Sequence, residues 1–284
     1  MDPTTGRQPT PPSASERWRL GVEGWALPDR IGAAAPEPFV ALEPERFRWR
    51  PDADALQPVR PSRRRALEAL PEGGSVLDVG VGGGASSLGL APTVGLITGV
   101  DPLPGMLASF EASARDAGVA TRAVVGRWPE VADAIETADV AVCHHAVYGV
   151  SDIEPFLAAL TASARHRVVL EVSAHPPLVD LNPLWKAFHG VERADRLVAD
   201  EAEAVLAAMG VAVEREDLLL APGPPDVTPE RVAFLRKRLC VGPERDAEIL
   251  GFLEESVSVE HRVVALWWPG RPEPHATGQA PSAR

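Results

Sequence analysis

The chain has 284 residues, of which 45% are hydrophobic and 24% charged, a composition typical of a globular protein with a full core. Its net charge of -12 disfavours general nucleic-acid binding, because phosphate contacts need clustered Lys and Arg side chains. Its two cysteines exclude a disulfide framework and favour a reducing compartment, so we expect a cytoplasmic protein.

The composition of the chain differs from the average at residues 1–60 and again at residues 271–284. Residues 1–15 are rich in Pro, Ser and Thr and lack the apolar run of a signal peptide, so we predict a disordered tail. We predict a second tail at 271–284 and an N-terminal helical cap at 16–60, which is rich in Trp, Pro and Arg. The uncharged window at 79–100 holds seven glycines, so we predict no membrane span.

From about residue 61 to residue 175, apolar runs typical of strands alternate with stretches typical of helices. The predicted strands cover 75–80, 96–101, 120–126, 138–145 and 167–173. The predicted helices cover 63–70, 85–91, 104–118, 130–137 and 153–164. This alternation predicts an α/β protein with a doubly wound, mostly parallel sheet covered on both faces. Ligands of such sheets bind at the carboxyl ends of the strands.

Beyond residue 176 the alternation is weaker. The predicted elements there are helices at 182–191 and 200–210, a strand at 211–220, a helical insertion at about 228–256 and a final strand at 257–268. We therefore predict one main domain from residue 61 to residue 270.

The ends of the first two predicted strands carry residues suited to ligand binding. The first strand ends in the sequence DVGVGGG, in which Asp78 precedes Gly80, Gly82 and Gly84. Glycines let a backbone pass close to a ligand, and the amide groups of a following helix favour polar or anionic atoms. Asp101 ends the second strand, 21 residues after Gly80, where a carboxylate can accept hydrogen bonds from ribose hydroxyls.

The segments LDVGVGGG and GVDPLPGML resemble the first two motifs of the class I S-adenosylmethionine-dependent methyltransferases, and the resemblance covers about residues 73–175. It implies the Rossmann-like fold of that family, with a reversed last strand, and S-adenosylmethionine as cofactor. By this resemblance Asp78 and the three glycines lie along the methionine and ribose of the cofactor. Asp101 holds the ribose, and Pro102 packs against the adenine.

The third and fourth strand ends depart in part from the family pattern. Arg127 stands where the family often has an acidic residue on the adenine amine, so we expect the backbone or ring of Trp128 to take that role. By the resemblance, His144 and His145 flank the methionine end of the cofactor and the transferring methyl group.

The methyl acceptor is left open as a small molecule or a protein side chain. A hydroxyl or protonated amine acceptor needs a base, and His145 is the best-placed candidate. An apolar stripe on the helix at 182–191 covers either the sheet or an acceptor pocket. In the second case we expect Tyr148, Trp185 and His189 to wall in the acceptor.

Two other functions stay open. Gly80, Gly82 and Ala85 satisfy the G-x-G-x-x-A pattern of NAD(P)- or FAD-binding oxidoreductases, although an acid such as Asp78 does not suit a pyrophosphate. A methyltransferase-like protein that binds without transferring is the other alternative. We predict no metal, because the spacing of the candidate ligands Glu171, His175, Asp180 and His189 matches no known pattern. The oligomeric state is not predicted.

Overall fold

The computed structural model describes residues 11–37, 44–55, 59–221, 226–255 and 261–271. Most of the two predicted tails therefore lies outside the described residues. The first predicted tail ends earlier than expected, because a helix begins at Ala14. Its start is fixed by Ser13, whose hydroxyl oxygen accepts the Glu16 N–H at 3.1 Å.

The described strands are β1 (Gly74–Val79), β2 (Val94–Asp101), β3 (Ala120–Val125), β4 (Ala138–His144), β5 (Ala164–Ser173), β6 (Glu214–Leu220) and β7 (His261–Pro269). They form one sheet in the order β3-β2-β1-β4-β5-β7-β6. Neighbours among β1 to β5 pair in parallel, whereas β7 runs antiparallel to both β5 and β6. The predicted doubly wound sheet and its reversed last strand are confirmed.

The described helices are α1 (Ala14–Trp25), α2 (Asp29–Ala34), α3 (Pro44–Phe47), α4 (Pro51–Ala55), α5 (Pro61–Ala69), α6 (Pro104–Ala117), α7 (Ile153–Ala162), α8 (Asn182–His189), α9 (Val198–Ala208), α10 (Pro229–Arg238) and α11 (Asp246–Glu255). Prolines at the first turns of α5, α6, α8 and α10 suit helix starts, where a backbone N–H has no partner to lose. The last two helices form the insertion before β7, where the sequence predicts it.

Two of the predicted helices are wrong. The segment 85–91 is a turn that contains only the short 3₁₀ helix Leu88–Leu90, and 130–137 contains only Ala132–Ala134. Pro92 disfavours a helical conformation at the residue before it and stops the first segment from continuing. The second segment has no room to lengthen, because β4 begins directly after it at Ala138, and so short a helix is marginal by itself.

Apolar side chains alternate between the two faces of the sheet and form a core on each. On one face Leu77 packs in a cluster that includes residues of α1, α7 and α9, with Trp18 of α1 fully buried. On the other face Val76 packs in a cluster with residues of α5 and α6, including Phe110. The predicted N-terminal cap thus shares the core of the sheet domain through α1.

A third cluster joins the helices that lie outside the sheet. It contains Ile31 of α2, Trp185 of α8, Leu235 of α10 and Ile249 of α11. The N-terminal region and the insertion are therefore packed together through apolar contacts. In the described ranges, no helix combines the length and apolarity that crossing a bilayer requires.

Candidate active site

A cavity of about 990 Å³ opens at the carboxyl ends of the parallel strands. Each of these strands contributes a lining residue at or just after its end: Gly80 for β1, Asp101 for β2, Gly126 for β3, His145 for β4 and Ser173 for β5. This is the sheet edge at which the strand–helix alternation predicts a ligand.

N-terminal residues complete the cavity wall beside the glycine loop, which we define as residues 80–84. Trp25, Leu27 and Phe47 line the cavity. The Trp49 N–H donates to the Gly83 carbonyl oxygen at 3.3 Å. A Cβ atom on Gly83 would lie 1.8 Å from the Phe47 carbonyl oxygen. The N-terminal segment therefore crosses this loop so closely that only glycine fits at position 83.

The glycine loop turns sharply, and its glycines face different surroundings. Gly80, Gly82 and Gly84 have φ values of 73°, 52° and 92°, in the left-handed region that glycine adopts without strain. Gly80 and Gly82 line the cavity as expected. Gly84 does not, and a Cβ there would meet the side chains of Leu88 and Phe110. Gly84 is therefore packed against core side chains, and its predicted cofactor contact stays a prediction.

The Asp101 carboxylate connects the glycine loop to the end of β2 through a hydrogen bond. Its Oδ2 atom accepts the Gly82 N–H at 3.2 Å, and its Oδ1 atom accepts the Leu103 N–H at 2.9 Å. Burial raises the pKa of the Asp101 carboxyl despite these two hydrogen bonds. Asp101 and Pro102 both line the cavity, and their predicted contacts with a cofactor stay predictions.

Asp78 lies beneath the glycine loop and is not among the cavity-lining residues. Its fully buried Oδ2 atom accepts hydrogen bonds from the hydroxyls of Ser86 and Ser87, both at 2.6 Å. Its Oδ1 atom is buried without a partner among the described residues. Burial raises the pKa of Asp78 to about 6. The structure thus gives Asp78 a role in holding the loop, and its predicted contact with the cofactor stays a prediction.

Trp128 lies at the end of the cavity near β3. Its ring nitrogen donates to the Phe156 carbonyl oxygen at 3.1 Å, so the indole N–H is already used within the protein. Trp128 lines the cavity beside Gly126 and Arg127. The indole N–H is a donor only, so an amine of a ligand could donate instead to a backbone carbonyl oxygen of this segment.

His144 and His145, which follow one another at the end of β4, have different environments. Both line the cavity. His144 is the deeper of the two: its Nε2 atom is buried with no hydrogen-bond partner among the described residues. Burial lowers the pKa of His144, so its imidazole is neutral near pH 7.

The ring of His145 is held between two side chains. Its Nδ1 atom lies 2.8 Å from the Tyr148 hydroxyl, and its Nε2 atom lies 3.1 Å from Oε1 of Glu171. The backbone is also fixed, because the His145 N–H donates to the Glu171 carbonyl oxygen at 2.8 Å. His145 adopts a φ of 55°, which is uncommon for a residue with a side chain.

Glu171 is a functional candidate that the sequence reasoning treats only as a possible metal ligand. It is buried in β5, where its carboxylate also accepts hydrogen bonds from Arg60, at 2.7 Å, and from the Ser62 hydroxyl. Burial alone would raise the pKa of Glu171, but the His144 and His145 rings and the Arg60 guanidinium hold it well below its ordinary value. The sequence feature that could have indicated Glu171 is an acidic residue inside an otherwise apolar strand segment, RVVLEVS.

These contacts define the proton positions on His145. An ionised Glu171 can only accept, so the Nε2 atom carries the hydrogen and the neutral ring accepts the Tyr148 O–H at Nδ1. The Tyr148 oxygen also accepts the Ser173 N–H at 2.8 Å. Neither nitrogen of His145 is free, so a proton that passes from a ligand to this ring must pass through the Tyr148 oxygen or displace a partner.

Two of the three predicted acceptor-pocket residues line the cavity. Tyr148 and Trp185 do so, whereas His189 is absent from the lining. The Nε2 atom of His189 lies 2.6 Å from the Leu239 carbonyl oxygen, which ties the end of α8 to the end of α10. The helix therefore turns the His189 ring towards the insertion, and its predicted contact with the acceptor stays a prediction.

The candidate metal ligands do not come together. His175 pairs with Asp195, its Nδ1 atom 2.5 Å from Oδ1, whereas Glu171 bonds to Arg60, Ser62 and His145. Within the ranges that the structure describes, no three His, Cys, Asp or Glu residues are grouped as a metal site needs.

A family model and a curated relative each match part of this chain. Residues 76–166 match the family model of a methyltransferase domain. A segment of 138 residues, 49% of this chain, is 35% identical to the ubiquinone biosynthesis O-methyltransferase of Azorhizobium caulinodans and covers 51% of it. The match thus spans about half the length of that curated relative.

Solved structures provide a more distant comparison. The YcgJ protein of Bacillus subtilis is 18% identical and has a TM-score of 0.52, over 74% of this chain and 98% of that chain. A methyltransferase of Geobacter sulfurreducens in complex with S-adenosylhomocysteine is 19% identical and has a TM-score of 0.49, over 81% and 99% of the two chains. The first likeness supports the sheet fold, and the second is too remote to support an inference about this chain.

Proposed function

We propose that this chain, of which residues 76–166 match the family model of a methyltransferase domain, transfers a methyl group from S-adenosylmethionine to an oxygen atom of a small acceptor molecule. The observation that carries the proposal is the position of Asp101 and the glycine loop, side by side in one cavity, within the segment that matches the methyltransferase family.

The residues of the cavity fit this cofactor. The volume of about 990 Å³ is at the upper end of the range for small-molecule sites, enough for a cofactor and a second ligand. Asp101 would accept the ribose hydroxyls, and Pro102 with the Trp128 backbone would contact the adenine. Gly80, Gly82 and His144 would lie along the methionine. When bound, the cofactor supplies a methyl carbon on a positively charged sulfur, which an acceptor electron pair displaces.

The hydrogen bonds around His145 suit the deprotonation of a hydroxyl acceptor. The acceptor proton moves to the Tyr148 oxygen while Tyr148 gives its own proton to Nδ1 of His145. The ring then carries a positive charge beside the Glu171 carboxylate, 3.1 Å away, which stabilises it. Alignment of the acceptor with the methyl group supplies the rest of the rate enhancement. The name O-methyltransferase of the matched relative supports an oxygen acceptor.

The surroundings of the cavity favour a small acceptor. Trp25, Leu27 and Phe47 wall it on the N-terminal side, and Trp185 and Arg238 wall it on the side of α8 and α10. A folded protein or a nucleic acid would have to displace these walls, and the net charge of -12 further disfavours nucleic acid. The location in the cytoplasm stays a prediction from cysteine usage.

The dinucleotide alternative is not favoured by the geometry. The Gly82 N–H, which a pyrophosphate would need, donates to Asp101 instead. The Asp101 carboxylate beside it would repel a phosphate group. Binding of the cofactor without methyl transfer, the other alternative, is distinguished from the proposal by an activity measurement.

The test is the formation of S-adenosylhomocysteine from S-adenosylmethionine with a panel of hydroxylated aromatic compounds and a small-molecule cell extract. We expect S-adenosylhomocysteine and a methyl ether, with activity lost in His145→Ala. Binding of S-adenosylmethionine without product from any acceptor fraction would favour the non-catalytic alternative.

A further inference from the structure

Apart from His144 at the end of β4, the residues that we assign to the cofactor follow β1, β2 and β3, which leaves part of the cavity lining unassigned. In the sheet order, the ends of β1, β2 and β3 lie on one side, and those of β4 and β5 on the other. The chain that follows β5 continues the wall on that second side with Leu178, Leu181, Trp185, Arg193 and Arg196. We call these five residues, together with Trp25, the acceptor half.

Arg193 is positioned by both its backbone and its ring contacts. Its Cζ atom lies 3.8 Å from the centre of the Trp185 ring and 5.4 Å from that of the Trp25 ring. The Asn182 side chain donates to the Arg193 carbonyl oxygen at 3.1 Å, and the Trp25 ring nitrogen donates to the next carbonyl oxygen, that of Ala194, at 2.8 Å. The guanidinium is therefore held between two aromatic rings before any ligand binds.

Three of the other arginines that line the cavity have carboxylate partners. Arg60 pairs with Glu171, Arg63 with Asp54 and Arg196 with Glu201. For Arg193, no carboxylate within ion-pair distance is found among the described residues, and its Nε–H is buried without an acceptor there. Stacking on tryptophan compensates only part of the cost of removing a guanidinium from water.

The charge around Arg193 is positive. Burial and the nearby charge of Arg238, which also lines the cavity, lower the pKa of Arg193, although the group stays protonated near neutral pH. The chain as a whole is strongly acidic, with a net charge of -12, so the two neighbouring cations Arg193 and Arg238 on the cavity lining are a local feature. An anion would supply the missing acceptor for the guanidinium.

The walls around that charge indicate what the anion is attached to. The indole rings of Trp25 and Trp185 present flat apolar surfaces, and Leu178 and Leu181 add aliphatic contacts. A guanidinium binds a carboxylate through two parallel hydrogen bonds. A planar ring would pack on the apolar walls, and a carboxylate on that ring would pair with the guanidinium. A hydroxyl on the same ring would be the group that Tyr148 deprotonates.

We propose that Arg193, stacked between Trp185 and Trp25, binds the carboxylate of an aromatic hydroxy acid that is the methyl acceptor. This inference rests on the proposed function, because it names the substrate class of the same cavity. The methionine carboxylate of the cofactor is the other possible source of the anion, and the experiment separates the two.

The experiment is a calorimetric titration of the protein saturated with S-adenosylhomocysteine, with 3-hydroxybenzoate and with the neutral 3-hydroxybenzamide as probes. We expect the acid to bind about tenfold or more tightly than the amide, because only the acid offers a charged acceptor to the guanidinium. Arg193→Met should remove this preference and leave the affinity for S-adenosylhomocysteine unchanged.

The matched control is Arg245→Met. The Arg245 guanidinium also stacks on an aromatic ring, with its Cζ atom 5.0 Å from the Phe188 ring centre, but Arg245 is not among the cavity-lining residues. We expect this variant to keep the full preference for the acid. Arg193→Lys keeps the charge without the planar fork, so its preference for the acid should fall between those of the wild type and Arg193→Met.

Three results would overturn the inference. The first is an equal affinity for acid and amide in the wild type, and the second is a preference that does not depend on the residue at position 193. The third is a loss of S-adenosylhomocysteine affinity in Arg193→Met as large as its loss of affinity for the acid. That result would assign Arg193 to the cofactor carboxylate. If S-adenosylhomocysteine does not bind the wild type, the proposed function itself fails, which is a separate outcome.

Discussion

The hydroxyl oxygen of Tyr148 lies 2.8 Å from Nδ1 of His145, on the side of the ring opposite to Glu171. This contact leaves His145 without a free ring nitrogen. Because both ring nitrogens of His145 are hydrogen-bonded, we expect the ring to act on an acceptor through Tyr148. The acceptor would then contact the Tyr148 hydroxyl and not the His145 ring.

Tyr148→Phe tests this arrangement, because it keeps the ring and removes only the hydroxyl. With an acceptor from the product screen, we expect turnover to fall about 100-fold, the usual scale for loss of a proton-transfer group. The affinity for S-adenosylhomocysteine, measured by calorimetry, should stay within about twofold of the wild type.

The control for this variant is Ser113→Ala, which removes a buried hydroxyl bonded to the Ser109 carbonyl oxygen, outside the cavity. It should turn over at the wild-type rate. An unchanged rate in Tyr148→Phe would mean that the hydroxyl transfers no proton and that alignment alone accounts for the reaction.

Glu171→Gln is expected to change the stability of the protein in acid. The pKa of Glu171 is lowered in the folded state from its ordinary value of 4.5. The unfolded state therefore binds more protons below that pH, and the stability that the carboxylate contributes is lost as the pH falls. Urea unfolding should show the wild type losing its advantage over Glu171→Gln progressively below about pH 4.5.

A stability difference between the two proteins that does not change with pH would show that the charge of Glu171 makes no contribution. It would also remove the stabilising partner that we assign to the protonated His145 ring.

Asp78→Asn should act in the opposite direction, because burial raises the pKa of Asp78 from 3.8 to about 6. The folded state binds more protons than the unfolded state between these values, so the Asp78 contribution to stability falls as the pH rises through this window. Asparagine lacks this ionisation and can still accept hydrogen bonds from Ser86 and Ser87. Relative to the wild type, Asp78→Asn should gain on the order of 2 to 3 kcal/mol between about pH 4 and pH 7.

The measurement is the difference in the free energy of urea unfolding at several pH values. A stability of Asp78→Asn relative to the wild type that stays constant or falls as the pH rises would show that burial does not raise the pKa of Asp78.

Gly83→Ala is expected to displace the N-terminal segment from the glycine loop. The new methyl group would lie 1.8 Å from the Phe47 carbonyl oxygen, which is backbone and cannot rotate away. We expect a lower melting temperature and faster proteolysis near residues 44–50, with the sheet retained.

Gly24→Ala is the matched control in the same region. Position 24 lies in α1, and nothing stands within 4 Å of a Cβ added there. Alanine also favours the helix, so the melting temperature should stay the same or rise slightly. Equal behaviour of the two variants would contradict the close crossing of Phe47 over Gly83.

The sheet could be predicted from the sequence because its strands are buried on both faces and have clear apolar runs. Val140, Val142 and Cys143 in β4 are fully buried, although they point to different faces. The helices predicted at 85–91 and 130–137 are wrong because their sequence patterns do not reveal what limits their length. Each has an acceptable local pattern, but proline or a neighbouring strand limits its length.

Several residues of the candidate site could be placed at the cavity from the sequence because they follow strand ends. Asp101 and His145 lie there, and both line the cavity. The surroundings of Glu171 depend on Ser62, which is 109 residues away in the sequence and reaches it only through the packing of α5 on the sheet. No local pattern contains that information.

The depth of a side chain is a second property that spacing does not reveal. The acid-glycine pattern correctly marks the loop, but Asp78 lies below it because the turn brings Ser86 and Ser87 to the carboxylate. Similarly, the apolar stripe of α8 predicts a covered face without indicating that His189 faces the Leu239 carbonyl oxygen.

Calorimetric titration of the wild type with S-adenosylhomocysteine, and separately with NAD, tests the central claim most directly. The account predicts saturable binding of S-adenosylhomocysteine with one site per chain and no binding of NAD. Asp101→Ala should weaken the binding about tenfold or more, because charge-assisted hydrogen bonds to the ribose are lost. Binding of NAD in place of S-adenosylhomocysteine would contradict the account.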